Sequence, residues 1–207
     1  MSTAAFTFDL DGTLADTDRL RIFLLPAALR RPAIYSKLQA GFEELRGQRR
    51  ADLDEELCRR VATRCGCPLA EVRTALLEVI DGRWADSFRH ARVPEGVLGL
   101  IARVDQLGFA RAVVSDHPAL RKLAAMRHPS LRPERWAAIV DCRRLGAMKP
   151  LPDGLYAAAA ALGQPTGALV HVGDRPETDG AMARAAGARF FDVRDAAAMN
   201  ALLRELG

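Results

Sequence analysis

The chain has 207 residues, 49% of them apolar and 27% charged, a composition that excludes disorder, a collagen repeat and a coiled coil and leaves one ordinary globular domain or two small ones. Its longest unbroken apolar stretches, Ile22–Leu29 and Leu155–Leu162, fall short of the ~20 residues a bilayer span requires, so no membrane partner is expected. The net charge of +4 comes from 27 Arg and only three Lys (Lys37, Lys122, Lys149) against 26 acids, with no basic run, which argues against nucleic acid and suits an anionic small molecule.

Residues 4–10 read as a short buried strand that ends in a turn at Asp11-Gly12. From 18 to 92 the pattern is helical. Leu20, Phe23 and Leu24, then Leu38, Phe42 and Leu45, then Leu57 and Val61, then Val72, Leu76, Val79 and Ile80 recur every three or four residues. Pro26 and Pro32 are expected to break the first helix, and Gly41, Gly47, Gly66 and Pro68 punctuate the rest. Past Pro94 the elements alternate: helix 95–107, strand Ala110–Ser115, helix 118–127, strand Ala137–Asp141, helix 153–162, strand Ala168–Gly173, helix 178–186, strand Ala188–Val193 and helix 195–206. Strands alternating with helices imply a parallel sheet covered on both faces. The expected fold is therefore α/β: a Rossmann-like parallel sheet core over 1–17 and 93–207, with an inserted all-helical cap subdomain over 18–92.

The N-terminal stretch meets Asp9 before an apolar signal core could form, so no secretion signal is expected. Cys58, Cys65, Cys67 and Cys142 form no disulfide framework, and no His stands near them at zinc spacing. Free thiols in a reducing, cytoplasmic compartment are expected.

Ligands of a parallel sheet bind outside the carboxyl ends of its strands. The first strand delivers Asp9-Leu10-Asp11-Gly12-Thr13 there, the second Ser115-Asp116, and the fourth Gly173-Asp174 with Asp179 five residues on; Lys149-Pro150 precedes the helix at 153. Asp9 and Asp11 are two apart, so in extended backbone both side chains point to one side. One carboxylate can then attack while the other handles protons. Clustered carboxylates disfavour one another's ionisation, and a hard cation with oxygen ligands, such as Mg²⁺, relieves this. Lys149 adds a compact ammonium in a chain that otherwise uses arginine.

Phe-Thr-Phe-Asp9-Leu-Asp11-Gly12-Thr13-Leu14, then Val-Val-Ser115, Lys149-Pro150 and Val-Gly173-Asp174 with Asp179 resemble the four ordered motifs of the haloacid dehalogenase-like superfamily. The helical insertion is similar to the cap of its phosphoglycolate phosphatase and β-phosphoglucomutase branch. The resemblance implies that Asp9 is the nucleophile forming an aspartyl-phosphate, and that Asp11 protonates the leaving oxygen and later activates water. It implies Mg²⁺ held by Asp9, the Asp11 backbone carbonyl and Asp174, with Asp179 a direct or outer ligand. Ser115 and Lys149 would bind the phosphoryl oxygens, and backbone N–H groups around Gly12 and Thr13 and after Ser115 would complete a cradle. True dehalogenases of the superfamily lack an acid two residues after the nucleophile, because halide leaves without a proton; Asp11 therefore points to phosphate.

In the cap, Gly47-Gln48-Arg49-Arg50 is similar to a segment whose arginine faces the substrate, with Arg50 the match. Asp116 stands where relatives carry Asn and is expected to weaken phosphoryl binding or to touch the cap. Cys142, Arg143 and Arg144 have no assigned place. The expected activity is a Mg²⁺-dependent phosphatase acting on a small phosphorylated metabolite, as monomer or homodimer. A sugar-phosphate mutase and a non-catalytic binding scaffold of the same fold remain open. A signalling receiver also gathers acids, a hydroxyl and a Lys, but its phosphoacceptor ends the third strand, and the insertion has no place in it.

Overall fold

A computed structural model describes residues 5–207; Ala4 of the expected first strand, and the rest of residues 1–4, lie outside this range. Strand β1 (Ala5–Phe8) is buried along its whole length. Its side chains alternate, Phe6 and Phe8 joining one apolar cluster and Ala5 the other. The chain then enters the insertion: a 3₁₀ turn at Asp18–Leu24, α1 (Leu25–Arg30), α2 (Pro32–Leu45), α3 (Leu53–Cys65), α4 (Leu69–Leu76), a wide helical turn at Leu77–Trp84, α5 (Ala85–Ser87) and a 3₁₀ turn at Phe88–His90. Pro26 and Pro32 occupy the first turns of α1 and α2, where a missing N–H leaves no bond unmade, so they start helices rather than break one. Asp52 caps α3 by accepting the Glu55 N–H. Entry and exit are tied together, for the Asp16 N–H donates to the Arg92 carbonyl at 2.8 Å.

The core resumes with α6 (Glu95–Gln106), β2 (Ala110–Ser115), α7 (Ala119–Ala125), β3 (Ala138–Asp141), α8 (Asp153–Leu162), β4 (Leu169–Gly173), α9 (Ala181–Ala186), β5 (Arg189–Asp192) and α10 (Ala196–Glu205). The five strands are parallel in the order β3-β2-β1-β4-β5, with Phe8 level with Val113 and Val172. Phe6, Phe8, Ile101, Leu123 and Met199 fill one face, under α6, α7 and α10. Leu155, Ala158 and Met182 of α8 and α9 cover the other. Among the described residues no helix is long and apolar enough to cross a membrane.

The segment after β3, which the sequence left without a place, docks the insertion onto the core. Met148 is buried in the insertion's own apolar cluster with Leu45, Leu53 and Leu57. The Arg50 N–H donates to the Gly146 carbonyl at 2.9 Å. Arg143, almost fully buried, pairs with Asp54 at 3.1 Å and Asp81 at 2.6 Å.

Candidate active site

Because every strand runs the same way, all carboxyl ends open on one edge, and the insertion roofs it. Between them lies a cavity of about 1050 Å³. The core lines it with Asp9, Asp11, Ser115, Asp116, Lys149, Asp174 and Asp179, and the insertion with Phe42, Arg46 and Trp84 among others.

Asp9, Asp174 and Asp179 each present a carboxylate oxygen within 4.8 Å of the others. Lys149 Nζ lies 2.5 Å from Asp9 Oδ1 and 2.6 Å from Asp179 Oδ1. Below them β1 and β4 set Thr7 level with His171. Thr7 Oγ1 lies 2.9 Å from His171 Nδ1, and His171 Nε2 is 3.4 Å from Asp179 Oδ1. Burial holds the fully enclosed His171 below its ordinary pKa, so it is a neutral ring. The tautomer with a proton on Nε2 donates to Asp179 and accepts the Thr7 hydroxyl.

The charges here are unequal. Burial raises Asp9 to about 8, Lys149 offsets part of this, and Asp179 and Asp11 add to it. Burial also opposes charge on Asp179, but Lys149 and then His171 outweigh it and hold that carboxyl below the usual range. Asp174 is raised by burial and by Asp179, and its buried Oδ1 has no hydrogen-bond partner. Gly12, at φ +90°, lies against it; a Cβ there would meet Asp174 Oδ2 at 2.5 Å. Three carboxylates, one ammonium and an orphaned buried oxygen fit a hard divalent cation.

Strict alternation places Asp9 and Asp11 on one side, and the structure corrects this. Strand β1 stops at Phe8, and the chain curls as the Ala15 N–H donates to the Leu10 carbonyl at 3.1 Å and the Gly12 N–H to the Ala15 carbonyl at 2.8 Å. Asp11 turns away from the other acids. Its Oδ2 accepts from Lys122 Nζ at 2.5 Å and its Oδ1 from Trp84 Nε1 at 2.9 Å, with Ser115 Oγ 3.5 Å from Oδ2. Of the four residues expected around a metal, the side chains of Asp9, Asp174 and Asp179 gather and that of Asp11 does not. Burial opposes the Asp11 charge, but Lys122 and then His117 more than offset it, lowering its pKa.

The other expected residues divide. Ser115 lines the cavity, and its Oγ accepts the His117 N–H at 3.3 Å. Asp116 Oδ1 accepts the Lys149 N–H at 2.9 Å, and its Oδ2 binds Arg46, so this acid touches the cap. Thr13 is buried away from the cavity, and the Gly12 N–H is already committed to Ala15. Arg50 is not brought to the site. Past α2 the chain reverses at Gly47 (φ +72°), which leaves Arg50 on the outside, donating to Gln48 Oε1 at 2.7 Å and to the Arg49 carbonyl at 2.8 Å. Arg46, directly after α2, lines the cavity instead, together with Arg21 and Arg92 of the insertion. Sequence reasoning also missed Lys122, Trp84 and His171; only Lys122 carried a signal, as one of three lysines.

Strand order, an insertion after β1 and an acid cluster at the strand ends define a Rossmann-like hydrolase core. The chain belongs to the haloacid dehalogenase-like hydrolase family, whose sequence model matches residues 3–187. Among solved structures, CbbY from Rhodobacter sphaeroides in complex with phosphate is similar at 23% identity, covering 91% of this chain and 84% of that one with a TM-score of 0.64. A CbbY variant bound to xylulose 1,5-bisphosphate matches at 23% identity with 91% and 84% coverage and a TM-score of 0.63. A 2-haloacid dehalogenase from Pseudomonas syringae pv. Tomato matches at 23% identity, with coverage of 92% and 85% and a TM-score of 0.59. At these identities the likeness is one of fold. No curated protein matches the chain.

Proposed function

We propose that this chain is a Mg²⁺-dependent phosphatase that hydrolyses a small phosphorylated metabolite through an aspartyl-phosphate on Asp9. The fold is neutral on this point, since its neighbours include a dehalogenase as well as a phosphate-bound protein. The observation that carries the reading is Asp11, a second acid lining the same cavity as Asp9. A leaving halide needs no proton, whereas a leaving alkoxide does.

In the first step an Asp9 oxygen attacks phosphorus, the bond to the leaving oxygen breaks, and that oxygen takes its proton from Asp11. In the second, water gives a proton to Asp11 and attacks phosphorus; the Asp9 oxygen leaves as a carboxylate and inorganic phosphate is released. Lys122 favours the ionised form of Asp11, the form that receives the water's proton; the proton Asp11 passes to the leaving oxygen in the first step then enters with the substrate, as the monoanion of the phosphomonoester. The Lys149 ammonium and the Ser115 hydroxyl bind phosphoryl oxygens, and Arg46 faces the rest of the substrate. Mg²⁺, held by Asp9, Asp174 and Asp179 with the Asp11 carbonyl, would supply charge neutralisation for the phosphoryl group.

The test is hydrolysis of p-nitrophenyl phosphate with Mg²⁺ and with EDTA, using Asp9→Asn as control. Metal-dependent turnover that disappears in the variant is the expected result. Turnover that survives Asp9→Asn, or a halide released from a 2-haloacid, would overturn the reading.

A further inference from the structure

Lys122 is fully enclosed, and no motif of the site includes it. A lysine is almost never fully buried unless paired, because removing an ammonium from water costs several kcal/mol. Its Nζ lies 5.0 Å from the centre of the Phe88 ring and 6.0 Å from that of Trp84, with one carboxylate, Asp11, at 2.5 Å. The same Asp11 receives the indole N–H of Trp84 on its other oxygen. Both oxygens are thus gripped, one from helix α7 of the core and one from the insertion, while the carboxylate keeps 23% of its surface open toward the cavity.

We propose that Lys122 is a positioning residue for Asp11: with Trp84 it fixes the carboxylate in the orientation that faces the leaving oxygen. A free aspartate side chain samples several rotamers, and proton transfer requires a donor within hydrogen-bond reach of the reacting atom. The grip removes that freedom before substrate arrives. Because Trp84 belongs to the insertion, seating of the cap on the core and orientation of Asp11 are one event. This inference rests on the phosphatase reading for its kinetic consequence, though not for its geometry.

The experiment uses the full chain with Mg²⁺ and the variants Lys122→Met, Asp11→Ala and the double variant. Methionine replaces the buried ammonium with an apolar chain of similar length; it leaves Asp11 without its ion-pair partner, a loss that lowers stability and that the double variant, which removes both charges, relieves. With phenyl phosphate, Lys122→Met is expected to lower kcat by about 10- to 100-fold, part of the 10²–10⁴ that a positioned acid–base group supplies, with KM changed by less than about threefold. The loss on p-nitrophenyl phosphate, whose leaving group departs without a proton, is expected to be smaller. In the Asp11→Ala background the lysine change should cost nothing more, since it acts through Asp11.

A second readout needs no turnover. The chain has two tryptophans, so its indole N–H spectrum contains two signals. Lys122→Met should move the Trp84 signal and leave Trp136, whose N–H bonds the Leu131 carbonyl, in place; the move should be much smaller in Asp11→Ala, where only the ammonium's 6.0 Å approach to the ring is lost. Trp84→Phe, which leaves the lysine untouched, should repeat the kinetic pattern if the methionine variant fails to fold. Wild-type kinetics in Lys122→Met, or equal losses with and without Asp11, would overturn the inference. Absence of turnover in the wild type, with the spectral coupling intact, would sink the phosphatase reading alone.

Discussion

Adding Mg²⁺ to the metal-free protein at fixed pH is a perturbation whose size follows from the site. Burial, helped by Asp179 and Asp11 and opposed by Lys149, puts Asp9 at about 8. Such a group is about nine-tenths protonated at pH 7 and about one-tenth at pH 9. A carboxylate must shed its proton to bind a cation, so each ion should release about 0.9 proton at pH 7 and about 0.1 at pH 9 from Asp9. Asp174, raised by burial and by Asp179, adds in the same direction. Below pH 8 the proton competes, and apparent affinity should fall by about tenfold per pH unit, levelling off above it. Calorimetry in two phosphate-free buffers of different ionisation enthalpy reads the proton count directly. Heats independent of buffer at pH 7 would refute the reasoning, because Lys149 would then outweigh burial and Asp9 would already be ionised.

Further outcomes follow from the same contacts. Between pH about 7.5 and 8 the metal-free native state holds most of the Asp9 proton that the unfolded chain has released, so stability in urea should fall as pH rises across that window and Mg²⁺ should remove the slope; the buried His117 and His171, held below 6.5, give an opposing slope near 6.5 that has faded by about pH 7.5. Arg46→Ala should raise KM by about 10-fold or more, the worth of a hydrogen bond to a charged group, while Arg50→Ala leaves it within about twofold; equal effects in steady-state kinetics would contradict the placement of Arg46. His171→Phe removes the ring N–H beside Asp179 and should weaken Mg²⁺ binding by about tenfold in calorimetric titration, with unchanged affinity counting against an orienting role.

The parallel core was legible because its evidence is local. Period-two and period-3.6 patterns, broken by Gly and Pro, placed Ala110–Ser115 and Asp153–Leu162 at their observed bounds, and topology then carried Asp9, Ser115 and Asp174 to one edge. Local patterns fail where the local rule stops. Alternation holds only while a strand lasts, and β1 ends one residue before Asp9, which is why Asp11 points elsewhere. Arg50 lies outside because the chain reverses at Gly47, whose φ of +72° no periodic pattern reveals, and Arg46, four residues earlier, lines the cavity. Lys122 follows Arg121 on a helix and reads as solvated; only the partner 111 residues earlier explains its burial.

Apart from the Thr7–His171–Asp179 chain inside the core, the contacts that sequence could not supply gather at the seam between insertion and core. Arg46 meets Asp116 and Arg143 meets Asp54 and Asp81 across it, and Lys122 meets Asp11 on its core side, where Trp84 reaches over from the insertion. Each joins a buried or half-buried acid to a cation from a distant segment, as the low dielectric of a closed site demands. Asp9 and Asp179 share Lys149 in the same way. Asp174 breaks the pattern, for it has no ion-pair partner among the described residues and its Oδ1 is buried without a hydrogen bond. Its carboxylate stands beside Gly12, within 4.8 Å of the oxygens of Asp9 and Asp179, where a divalent ion would supply the neutralisation that Lys149, Lys122 and Arg46 provide for the neighbouring Asp9, Asp11 and Asp116.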